Sequence, residues 1–143
     1  MDVNDVNRRI IGEFRERGGQ VGGHFEGARL LLLHTVGRRT GRARVNPLVY
    51  AVDGDGYLVC GSSRGAHVDP AWVANAAAMS EVTVEVGDRV LRATPTVVTH
   101  PSSNWERLYG IWSASWPDSA EYERRTTRRF PVLRLDPVPA DGT

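Results

Sequence analysis

Residues 30–61 read LLLLHTVGRRTGRARVNPLVYAVDGDGYLVCG, and their reading decides the fold of this 143-residue chain. Residues 30–36 are a short apolar run, the pattern of a strand buried on both faces. Residues 45–52 predict a second strand, Asp53–Gly54–Asp55–Gly56 a tight hairpin, and residues 57–61 a third. Downstream, Val82, Val84 and Val86 alternate with polar residues, Gly87–Asp88 turns the chain, residues 90–98 return, and residues 131–135 form a last strand. Strands joined this tightly cannot be parallel neighbours, because a parallel crossover needs about a dozen residues or more. Five or six short strands with late helices therefore predict a mainly β chain with inserted helices (α+β), built as a small antiparallel barrel.

The remaining segments predict helices. Val3, Val6, Ile10, Ile11 and Phe14 recur at helical spacing over residues 2–17, and Gly18, Gly19, Gly22 and Gly23 end that amphipathic helix. Such a helix packs on its own barrel, shifts over a substrate or rests on a membrane surface. Asp69 and Pro70 have the form of a cap and first position for a helix over residues 71–79. Pro101 to Ser103 open another, with Trp105, Leu108, Tyr109 and Trp112 on one face, and Trp116–Pro117 breaks it before a polar helix over residues 118–128. The expected organisation is a helix and glycine-rich linker (1–28), a barrel that binds the ligand (29–137) and a loose tail (138–143).

Composition excludes several function classes. The length suits one domain and leaves no room for a separate cofactor domain. A net charge of +1 gives no overall bias toward nucleic acid or acidic membrane, so a basic site must come from clustering. All 18 basic residues are arginines, so every cationic contact is a planar fork and not a mobile ammonium. The single cysteine, Cys60, lies in the apolar run YLVC, which fits core packing in a reducing cytoplasm. No apolar run approaches the ~18 residues of a membrane span.

The cluster is the loop between the first two strands. Arg38, Arg39, Arg42 and Arg44 stand among Gly37, Thr40 and Gly41. The glycines let backbone N–H groups converge on an oxyanion, and the guanidinium forks add bidentate charged donors. A solvated hairpin connection is the plainer reading of the same residues.

A second polar loop follows the third strand. Its Gly61–Ser62–Ser63–Arg64–Gly65 matches a G-x-S-x-G nucleophile elbow, but no helix starts at once after the serine. Triads can be written with His67 or His100 and Asp69 or Asp118, yet nothing fixes their geometry. The histidines (His24, His34, His67, His100) lack metal-ligand spacing, so no metal site is expected, and there is no G-x-G-x-x-G or Walker lysine. What remains is a groove: Arg38, Arg39 and Arg44 can face Ser62, Ser63 and Arg64 if a hairpin holds strands two and three together. A ligand with an anionic tail and a flat head fits it. Trp72 can wall the head, and Asn46, held extended by Pro47, can pair with a heterocycle's edge.

The combination LLLHTVGRRTGRARVNPLVY, VCGSSRG, DPAWVAN, VTVEV and TTRRFPVLRLDP resembles the deazaflavin-dependent nitroreductase family of split β-barrel reductases. The resemblance spans roughly residues 30–137 and implies a split, FMN-binding-like antiparallel barrel with an N-terminal helix, and coenzyme F420 in preference to FMN. It implies that Arg38, Arg39, Thr40, Arg44 and Arg64 hold the coenzyme's phosphate and oligoglutamate tail. Asn46, Pro47, Ser62 and Ser63 then line the deazaflavin ring, and Ala71 and Trp72 close over it. The family's tyrosine-rich substrate wall reads here Trp116–Pro117–Asp118–Ser119–Ala120–Glu121–Tyr122, so Trp116, Ser119 and Tyr122 are its substrate-facing candidates. Tyr122 and Ser63 are the candidate proton donors.

The expected activity is hydride transfer from reduced F420 to an electron-poor acceptor, a quinone, enone or nitro compound, by a cytoplasmic monomer or homodimer that can touch the membrane through its first helix. A non-catalytic F420 or flavin carrier is the alternative. A nucleic-acid or acidic-partner module is the weakest, given the near-neutral charge.

Overall fold

The computed structural model describes residues 3–139, with side chains from residue 5 onward. Seven antiparallel strands form one sheet: β1 (Leu30–Val36), β2 (Ala43–Val49), β3 (Ala51–Asp53), β4 (Gly56–Cys60), β5 (Val82–Val86), β6 (Arg89–Val98) and β7 (Val132–Pro137). Their spatial order is β2-β1-β5-β6-β7-β4-β3. β2 and β3 stand at opposite ends of that order, although only Tyr50 separates them in the chain. The sheet must therefore curl until its two edges meet, and this makes the split barrel.

That closure explains the first departure from expectation. The predicted strand over residues 45–52 is two strands, because β2 pairs with β1 while β3 pairs with β4. At the step between them the Tyr50 amide donates to the Arg29 carbonyl at 2.9 Å. The hairpin at Gly54 thus joins β3 to β4, and the expected pairing of β2 with the third strand is replaced by curvature. Pro47, which lacks a ladder donor, is tolerated because β2 is an edge strand.

Each strand serves two layers. Leu31 and Leu33 of β1 join Val59, Val84, Leu133 and Leu135 in the barrel interior. There they meet α2 (Ala71–Ala77), which inserts Trp72, Val73 and Ala76. Leu30 and Leu32 point the other way, onto Phe14 of α1 (Val3–Glu16). Leu58, Cys60 and Val132 form a third cluster with Trp105, Leu108 and Trp112 of α3 (Trp105–Ser115) and Tyr122 of α4 (Ser119–Arg124). Each fully buried leucine contributes about 1.5–3 kcal/mol from apolar burial, and the unbroken LLLL run exists because both faces of β1 are covered.

Four helix boundaries differ from the sequence reading, the first being α3, which starts at Trp105 and not at Pro101–Ser103. Pro70, not Asp69, caps α2, because the Asp69 carboxylate pairs with Arg128. The predicted helix over residues 118–128 stops at Arg124, since the side chains of Arg125 and Arg128 reach away to backbone carbonyls of the loop after β4. α2 ends at Ala77, two residues early. At the C-terminus the Val138 amide donates to the Arg92 carbonyl at 2.9 Å, and the rest of the expected tail, residues 140–143, lies outside the described residues.

Candidate active site

The curled sheet leaves a cleft of about 570 Å³ at its seam. Asn46 and Pro47 of β2 line one wall, and Ser62, Ser63 and Arg64 form another in the loop after β4. Trp72, Trp112, Trp116 and Tyr122 add aromatic surface to its lining. This volume falls within the roughly 300–1,000 Å³ that small-molecule and cofactor sites occupy.

The loop after β4 has an uncommon backbone. Ser63 and Arg64 carry φ of 45° and 55°, and Gly65 follows at 84°. Left-handed conformation at two successive non-glycine residues persists only where the surroundings enforce it. Here Gly65 packs against α4 so closely that a Cβ would lie 2.6 Å from the Tyr122 carbonyl. The Ser62–Gly65 turn is closed by the Gly65 amide donating to the Ser62 carbonyl at 2.8 Å.

The arginine loop is equally built. The Gly37 amide donates to the Arg42 carbonyl at 2.9 Å and the Gly41 amide to the Gly37 carbonyl at 2.8 Å. Thr40 accepts the Arg42 amide on its hydroxyl at 3.2 Å, so this side chain shapes the turn. Arg38 is tied down: its amide and its Nη1 both donate to Oδ1 of buried Asn75 on α2, at 3.2 and 3.1 Å. Among the described residues no carboxylate pairs with Arg38, Arg39, Arg42 or Arg44, whereas Arg15, Arg92, Arg107, Arg128 and Arg134 all have one. Three guanidinium groups on the loop and a fourth, Arg44, at the start of β2 thus concentrate positive charge without a paired carboxylate.

Several sequence candidates thus come together at the cleft: Asn46, Pro47, Ser62, Ser63, Arg64, Trp72, Trp116 and Tyr122. Arg38, Arg39 and Thr40 lie outside its lining on the loop between β1 and β2, Arg44 lies outside it on β2 in register with Thr35, and Ala71 is exposed on the first turn of α2. Ser119 is buried with its hydroxyl donating to the Ser113 carbonyl at 3.1 Å, away from the lining. Trp72 both walls the cleft and fills the barrel core. Cys60 reaches the lining too, but burial pushes its thiol well above the ordinary range, so it remains a neutral packing group.

Sequence reasoning did not place Val6, Asn7 and Ile10 of α1, Phe25 or Trp112 at the site. The signal for α1 was the edge of its apolar stripe: Ile10, Ile11 and Phe14 pack onto the sheet, while Val6, Asn7 and Ile10 also reach the cleft. Phe25 stacks on Trp116 at 5.7 Å, and the Trp116 indole N–H donates to the Tyr122 hydroxyl at 3.2 Å. Among the described residues no three His, Cys, Asp or Glu side chains gather as a metal site, and no helix is long and apolar enough to cross a membrane.

A curled antiparallel sheet closed at its seam, with an aromatic-lined cleft there, is the architecture of the split-barrel, FMN-binding-like proteins. The profile of the F420H(2)-dependent quinone reductase family matches residues 6–137. The F420H(2)-dependent quinone reductase of Mycobacterium tuberculosis H37Rv is 34% identical over 124 residues, 85% of this chain and 83% of that protein. Among solved structures, an F420-H2 dependent reductase (FDR-A) superposes with a TM-score of 0.64 at 28% identity, over 76% of this chain and 94% of its own. A chain described as a domain-swapped dimer superposes with a TM-score of 0.68 at 26% identity, over 94% and 100%. The chain belongs to the F420H(2)-dependent quinone reductase family. It is therefore an oxidoreductase whose coenzyme is F420, as the resemblance in its motifs implied.

Proposed function

We propose that the cleft at the barrel seam is where reduced F420 meets a quinone, with the coenzyme's ring between Asn46–Pro47 and Ser62–Ser63 and its anionic arm on the arginine loop. What supports this most is the uncompensated charge of Arg38, Arg39, Arg42 and Arg44 beside a cleft of about 570 Å³. Arg39, Arg44 and Arg64 are free to bind the arm, whereas Arg38 also fastens its loop to α2 through Asn75. Bound there, the reduced coenzyme supplies the hydride.

The protein's part is orientation and a proton. Pro47 presents no backbone donor at the wall, and Trp72 adds aromatic surface to the lining. Val6, Ile10, Phe25 and Trp112 surround the remaining space with apolar surface, which suits a quinone ring and excludes water from the transfer. The Tyr122 hydroxyl accepts from Trp116, which leaves its own proton free to be donated to a quinone oxygen; Ser63 offers a second hydroxyl at the same cleft. Trp116 completes the acceptor side. We place the reaction in the cytoplasm, and the domain-swapped dimer among the structural neighbours supports testing for a homodimer.

Purified protein titrated with F420 and then mixed with the reduced coenzyme and menadione tests this reading. Micromolar binding and menadione-dependent reoxidation are expected; absence of coenzyme binding at that concentration refutes it.

A further inference from the structure

Arg128 lies between α4 and β7 and outside the cleft lining, yet its side chain donates four hydrogen bonds to the loop after β4. Its side chain is 13% exposed, and its guanidinium lies 4.7 Å from the centroid of the Phe130 ring. Nε donates to the Ala66 carbonyl at 2.9 Å, Nη1 to the Gly61 carbonyl at 3.0 Å and to the Asp69 carboxylate, and Nη2 to the Ser62 carbonyl at 2.9 Å. A second strut comes from α4's side, where Arg125 Nη1 donates to the Arg64 carbonyl at 3.0 Å. The segment so gripped contains the left-handed Ser63–Arg64–Gly65 turn.

We infer that Arg128 is a positioning residue for the coenzyme site: it holds the Gly61, Ser62 and Ala66 carbonyls so that Ser62, Ser63 and Arg64 meet the coenzyme in a turn already formed. The inference rests on the reading of the cleft as the coenzyme site. Left-handed backbone at Ser63 and Arg64 is disfavoured, so without a scaffold the segment relaxes toward ordinary conformations and the three side chains lose their common direction. Only a rigid fork spans acceptors on both sides of the turn at once. A lysine ammonium, whose donors radiate from one nitrogen, reaches one or two of them. Pre-forming the loop lowers the ordering cost of binding, so the effect falls on coenzyme affinity and not on the acceptor.

The test compares R128A and R128K with the wild-type protein and with R129A, a change at an exposed neighbour. Amide hydrogen exchange at Gly65 and Ala66 is followed without coenzyme, F420 affinity is titrated, and kcat and KM for menadione are measured at saturating coenzyme. Both Arg128 variants are expected to lose protection at the two amides and to weaken F420 binding about tenfold or more, with the menadione KM unchanged. Added guanidinium ion is expected to restore part of both losses in R128A, and R129A to match wild type. Should R128A not fold, R128K keeps the charge and carries the comparison. Retained protection with unchanged F420 affinity overturns the inference, and so does lost protection with unchanged affinity. If the wild-type protein itself fails to bind F420, the reading of the cleft falls, and the exchange data still report whether Arg128 holds the turn.

Discussion

The indole N–H of Trp116 donates to the hydroxyl of Tyr122 at 3.2 Å, so the tyrosine oxygen is held by one partner in a bond that does not use its own proton. Replacing Tyr122 with Phe removes that proton and also strands a buried indole donor. Turnover is expected to fall about tenfold to a hundredfold, in line with loss of one general acid, with F420 affinity within about twofold of wild type. The stranded donor costs stability of about 1–3 kcal/mol. Stopped-flow reoxidation with coenzyme titration separates the two effects; a loss confined to stability would remove Tyr122 from the chemistry.

The arginine loop predicts a division of labour. R39A and R44A each remove a charge-assisted contact and are expected to weaken F420 binding by about 1.5–3 kcal/mol without changing thermal stability. R38A is expected to do both, because Arg38 is hydrogen-bonded to Asn75 through its side chain as well as its backbone. Calorimetric titration and thermal melts of the three variants check this. Identical behaviour of all three would contradict it.

Docking of α1 is expected to depend on acid. Glu85 on β5 accepts Arg15 of α1 at 2.7 and 3.1 Å and lies 2.6 Å from His34 Nε2. The hydrogen bond from Arg15 holds its carboxyl below the ordinary 4.5, against desolvation, with His34 adding to the lowering. A carboxylate depressed by folding contributes stability above its unfolded value, and that contribution is lost as pH falls through the folded one. E85Q should therefore melt lower than wild type near neutral pH, and the difference should vanish below the depressed value. A difference that persists into strong acid would refute the assignment.

Gly65 to Ala places a Cβ at φ 84° and 2.6 Å from the Tyr122 carbonyl. Either the turn or α4 must move. A loss of about 1–3 kcal/mol in stability, together with weaker F420 binding, is expected from melts and titration.

How much of this was visible in the chain depended on whether the signal was local. The β5–β6 hairpin, β4 and the β1 run carried their own periodicity and turns, and they stand within a residue of the sequence reading. The break at Tyr50 carried none, since apolar residues continue through it and only the curl of the whole sheet requires it. Asp69 looked like a cap because its real partner, Arg128, lies 59 residues away. Ser62 and Ser63 were singled out as polar loop residues, Asn46–Pro47 as an extended pair and Trp72 as an aromatic opening a helix, and all five line one cleft. Val6, Asn7 and Ile10 were hidden, because an amphipathic stripe does not say which of its edges overhangs a cavity.

The two-faced strand β1 has a consequence for how this enzyme can diversify. Part of the cleft's lining comes from the barrel and its loops and part from α1, and Leu30 and Leu32 hold α1 from the back of the same strand whose Leu31 and Leu33 fill the interior. On the proposed reading of the cleft, drift at Val6 or Asn7 retunes what is reduced while the residues on β2 and the loop after β4 stay as they are. A lineage can thus explore new oxidants by rewriting one helix, provided the leucines underneath stay in place.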